Sequence, residues 1–111
     1  MSRPALTRVR RKLAMRQRRL RRMVLMNGPE SVLALFEWMI SEAWLAVRFE
    51  EWRLEDAARA ALVHRTQPGE ECTPEELAVS RPFWHRADIA QRESQKHARK
   101  AVEYERKDGQ G

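Results

Sequence analysis

The chain has 111 residues, 42% of them hydrophobic and 34% charged, with a net charge of +6. That length holds one domain at most, and four tryptophans beside a concentrated apolar middle argue against disorder. A single cysteine, Cys72, excludes an intrachain disulfide and argues against a zinc site, so a reduced, intracellular, cytoplasm-like location is expected.

The charge is unevenly spread. Residues 1–26 carry ten basic side chains and no acid, a net +10, whereas residues 27–76 carry −7 and residues 77–111 carry +3. Such asymmetry points to nucleic acid or another polyanion as a partner of the first segment. The blander expectation is that the acidic middle of the chain neutralises it.

Residues 1–27 read as a basic helix. Leu6, Val9, Leu13, Leu20 and Val24 fall on one narrow stripe at helical spacing, interrupted by Arg16. Arg8, Arg11, Arg18, Arg19 and Arg22 cover the opposite side, the footprint of a helix laid along phosphates. Basic helices also bind anionic lipid or acidic protein grooves. The segment resembles a mitochondrial transit peptide in lacking acids but is poor in serine, and no secretory signal is visible. Asn27-Gly28-Pro29 closes the helix, with glycine expected to take the left-handed cap.

Residues 29–65 read as one long central helix, ended by the loop over 66–73. On a helical wheel it is apolar on two sides. Val32, Phe36, Ile40, Ala43, Val47, Leu54 and Ala58 share a broad face, and Trp38, Leu45, Phe49, Trp52 and Val63 form a second ridge. Glu37, Ser41, Arg48, Glu55 and Arg59 fill a polar strip between them. The first helix covers one apolar side as an antiparallel hairpin. Trp38, Leu45, Phe49 and Trp52 are then surplus, which predicts a protein interface or self-association unless Phe83-Trp84 folds back over them. Glu37, Glu42 and Arg48 argue against this segment spanning a membrane, so integral insertion is not expected.

Thr73-Pro74-Glu75-Glu76 is a capping box that opens a short helix over 74–80. Arg81-Pro82 is expected to break it, leaving a polar C-terminal helix over 83–107. Within that helix, residues 88–95 imitate the start of a helix-turn-helix but lack its glycine-bearing turn.

No catalytic chemistry is legible. His64, His85 and His97 are far apart in sequence, and nothing marks the pairs Glu50-Glu51 and Glu70-Glu71 as opposed across a cleft. With four glycines there is no phosphate loop, and neither cofactor nor metal is expected. The sequence therefore predicts a single all-α domain acting as a non-enzymatic structural or assembly subunit. It would contact nucleic acid through its first helix and oligomerise or dock through the ridge, as a virion, ribonucleoprotein or nucleoid component does. The alternatives are an adaptor for an acidic protein surface and a peripheral subunit at an anionic membrane.

Overall fold

The computed structural model describes residues 3–62, 66, 67 and 69–110, so Val63 and His64 lie outside the described residues. Three helices run in chain order: α1 (Arg3–Leu25), α2 (Glu30–Ala60) and α3 (Pro74–Gln110), with no strand among the described residues. Both α1 and α3 pack on α2 and not on each other, giving a slab of 59 × 27 × 16 Å.

The hairpin between α1 and α2 forms much as its residues dictate, with one difference. Asn27, not Gly28, takes the left-handed conformation (φ 52°). Its N–H donates to Val24 O at 3.1 Å and the Gly28 N–H donates to Met23 O at 2.9 Å, the pairing that satisfies the last carbonyls of a helix. A Cβ at Gly28 would run into the Met23 thioether, so a larger residue there would require that flexible side chain to move aside.

The broad face of α2 receives α1. Leu13, Ile40, Ala43 and Val47 are buried together, with Leu6, Val9, Leu20 and Trp44 packed around them and Ala90 of α3 completing the cluster. Fully burying each large aliphatic side chain contributes about 1.5–3 kcal/mol, so a core this thin leaves little reserve. Arg16, which interrupts the α1 stripe, donates to the Met39 carbonyl at 2.6 Å instead of facing water.

The polar strip of α2 does not face solvent. It is the seat of α3. Glu37, Ser41, Trp44, Arg48, Glu51 and Glu55 recur at alternating spacings of four and three, and α3 answers with Ser80, Phe83, Ala87, Ala90, Ser94, His97, Ala101 and Tyr104 in the same rhythm. This is the heptad seam of an antiparallel helix pair, lined here by small and polar residues. The Ser41 hydroxyl donates to the Ser94 carbonyl at 2.9 Å, and the Ser80 hydroxyl donates to Glu55 Oε1 at 2.7 Å. His97 Nδ1 lies 2.7 Å from Glu37 Oε1, within hydrogen-bond distance across the seam. Burial pushes the Tyr104 phenol up, assisted by the charges of Glu37, Glu30 and Glu103.

The expected break at Arg81-Pro82 is absent, and the two expected C-terminal helices are one. A proline inside a helix removes a hydrogen bond and crowds the carbonyl four residues back. The interruption is overridden because α3 is tethered to α2 on both sides of it, by Ser80 to Glu55 and by Arg86 to Glu51. Pro82→Ala is therefore expected to raise the stability of the chain by about 1–2 kcal/mol, read as a higher Tm. A lower Tm would mean that the helix needs the proline's bend to follow α2.

The capping box forms as read. The Glu76 N–H donates to Thr73 Oγ1 at 3.1 Å, and Glu76 Oε1 accepts from the Thr66 N–H at 2.9 Å and from the Thr66 hydroxyl. The Thr66 hydroxyl, opposed by burial and joined by the amides of Thr66 and Thr73 and the Thr73 hydroxyl, holds the Glu76 carboxyl below its ordinary value. A depressed carboxyl contributes stability that is complete at neutral pH and is lost as pH falls through its folded-state pKa. Glu76→Gln should lower Tm at neutral pH and narrow its gap to the wild type below the ordinary carboxylate range. A gap independent of pH would show that shape, not charge, makes the cap.

Candidate functional site

Two surfaces carry the sequence-predicted residues, and they lie on opposite sides of α2. On α1, docking the leucine stripe fixes which cations turn inward. Arg10 Nη2 reaches Glu51 Oε1 at 3.0 Å and Arg16 reaches Met39, so both are withdrawn from the outer face. Arg8, Arg11, Arg18, Arg19 and Arg22 are all exposed on that face, within about 21 Å of helix. Lys12 and Arg21, which the sequence reading did not single out, are exposed beside them. None of these seven makes an ion pair within the described residues.

The acidic middle of the chain does not neutralise this face, because most of its well-placed carboxylates are already committed. Glu37 holds His97, Glu55 holds Ser80 and Arg59, and Glu76 holds the cap. Glu51 is fully buried and holds Arg10 of α1 and Arg86 of α3, the latter at 2.9 Å. It is the one described side chain with ion pairs to both other helices. The sequence carried a signal for it, since Glu51 falls on the edge of the broad apolar face of α2, where an isolated carboxylate is costly.

The second surface is the ridge. Phe49 is 61% exposed, Trp38 40% and Trp52 39%, and Leu45 is half-buried between them. α3 runs alongside without covering them. Phe83 turns into the seam, but Trp84 stays 38% exposed beside Trp52, so the pair does not fold back over the ridge. The ridge residues hold one another: Phe49 meets Trp52 edge to face at 6.2 Å, and the Arg48 guanidinium lies 3.9 Å above the Trp52 ring. Trp38 Nε1 donates to Glu105 Oε1 at 2.7 Å.

Among the described residues no group of three His, Cys, Asp or Glu side chains is placed to hold a metal ion, and no helix is long and apolar enough to cross a membrane. What the fold defines is a class, an all-α three-helix slab with a basic outer helix and an apolar groove behind it. No family model matches the chain, and neither does any curated protein or solved structure.

Glu51→Gln is expected to destabilise the chain by about 2 kcal/mol, since it strips the charge that both arginines address. The half-exposed arginines rehydrate, which keeps the loss below that of a wholly buried pair. Arg10→Gln should cost less than Glu51→Gln, because Arg86 still satisfies the carboxylate. Equal Tm losses in the two variants would contradict this division.

Proposed function

We propose that this chain is a non-enzymatic assembly subunit that contacts nucleic acid through the outer face of α1 and docks or self-associates through the ridge of α2. One observation carries the reading: a row of exposed arginines with no carboxylate partner, on a helix whose apolar stripe is already spent on α2. A cationic row of that kind binds phosphates by releasing their counterions. Between Arg8 and Arg22 the outer face also carries the exposed Met15, which offers no base-reading polar group. Binding by phosphate contact alone positions a protein without reading sequence.

The runner-up is a peripheral subunit at an anionic membrane, and a specific observation speaks for it. Leu25 and Met26 are 79% and 75% exposed at the end of α1, next to Arg21 and Arg22. Against it, a helix lying in a bilayer surface buries its apolar stripe in lipid. Here Leu13 and its neighbours are buried on α2.

Salt dependence tests the leading reading. Five phosphate contacts on duplex DNA give a slope of log K against log salt of about −4 to −5. Replacing Arg18, Arg19 and Arg22 by glutamine should weaken binding to all sequences alike and flatten the slope by about one unit per lost contact. Wild-type protein with no affinity for DNA or RNA at low salt would overturn the reading. Binding to vesicles rich in anionic lipid, lost in the same triple variant, would then establish the runner-up.

A further inference from the structure

The register of α2 on α3 arranges the groove between them in three rungs. The pairs Glu37–His97, Ser41–Ser94 and Glu55–Ser80 fix the alignment. In that alignment Trp52 lies level with Trp84, Leu45 with Gln91 and Trp38 with Ala98. Each step is seven residues on both helices, so the rungs stay on one face. The end rungs differ. Trp52 and Trp84 are both bulky, whereas Ala98 leaves a hollow of about 390 Å³ beside Trp38, Val102 and Arg106.

We infer that the occupant of this groove is a second copy of the chain, related by a two-fold axis through the Leu45–Gln91 rung. The inference deepens the assembly half of the proposed function and rests on that reading, but not on the arginines. A two-fold perpendicular to the helices reverses the order of the rungs. It sets Trp84 of each copy over the Ala98 hollow of the other and Trp38 against the partner copy's Trp52. It also sets the two half-buried Leu45 side chains against each other at the axis. A two-fold along the helices instead exchanges α2 for α3 and stacks Trp52 on the partner copy's Trp84, bulk against bulk.

The area suffices. With about 150–250 Å² per aromatic side chain, the exposed fractions of Trp38, Phe49, Trp52 and Trp84, together with Leu35 and Val102, leave roughly 500 Å² of apolar surface. A standard interface buries about 800 Å² on each side, some 60% of it apolar, so this patch supplies the apolar share and its polar rim the rest. The pairing surface faces away from α1, so the two arginine rows point outward in opposite directions. Such a dimer joins two phosphate backbones instead of clamping one.

Sedimentation equilibrium on nucleic-acid-free protein tests the pairing. Wild type should reach twice the 13.1 kDa of one chain at concentrations up to about 0.1 mM. Phe49→Asp, a change at a mostly exposed position, should stay at the single-chain mass with unchanged helicity by circular dichroism. In a Cys72→Ser background, Leu45→Cys should form an interchain disulfide under mild oxidation and Leu35→Cys should not, because only residue 45 lies at the axis. A monomeric wild type, or cross-linking that is equal at the two positions, overturns the inference. DNA affinity of the Phe49→Asp monomer reports separately on the arginine face, so failure of the dimer and failure of nucleic-acid binding are distinguishable.

Discussion

Three buried carboxylates on one side of α2 set the register of the whole molecule. Glu37, Glu51 and Glu55 each lie under a neighbouring helix, and each is met by a donor that only one alignment supplies. Sliding α3 by one turn would strand Glu37 outright and strip Glu51 and Glu55 to Arg10 and Arg59, a cost larger than what the alanines and serines of α3 gain from packing. Apolar seams of similar residues tolerate slippage. A polar seam with fixed partners does not. Such a seam secures alignment more than it secures stability, and here the apolar contribution comes from the smaller cluster around Ile40 and Val47.

That arrangement explains why the surfaces differ so sharply. The acids that neutralise cations inside the chain are drawn into the seam, where they bind Arg86, His97 and hydroxyls from α3. Only Glu51 reaches across to α1, and it takes only Arg10. Arg8, Arg11, Lys12, Arg18, Arg19, Arg21 and Arg22 stay exposed. Meanwhile α2 spends one face on α1 and the adjacent face on α3, and it has no helix left for the ridge.

Much of this was legible in the sequence. The all-α class, the α1–α2 hairpin, the capping box and the outward arginines all followed from spacing, because each rests on contacts within a few turns or on a single amphipathic stripe. Two features did not. Glu37, Ser41 and Glu55 read only as a polar strip, because polarity alone does not separate a wet face from a hydrogen-bonded seam. The heptad rhythm of Ser80, Ala87, Ser94 and Ala101 was the available signal, and small polar residues carry it faintly. Pro82 read as a break because local propensity counts the lost hydrogen bond but not the tethers at Ser80 and Arg86. In both cases a long-range partner reversed a local preference.

The slab form bears on how such a chain works. A body 16 Å through at its thinnest has little interior, and its folding rests on a small cluster and a satisfied polar seam. Anything that binds only the folded chain adds to its stability by mass action, about 2.7 kcal/mol at a hundred times the dissociation constant. Under the proposed function a polyanion on α1 would act this way directly, because the row of arginines is ordered by docking the leucine stripe on α2. Cover on the ridge acts through the same helix from the other side. The two surfaces share no residue and need no conformational signal between them. Occupancy of either one raises the population in which α2 is formed, and with it the competence of the other.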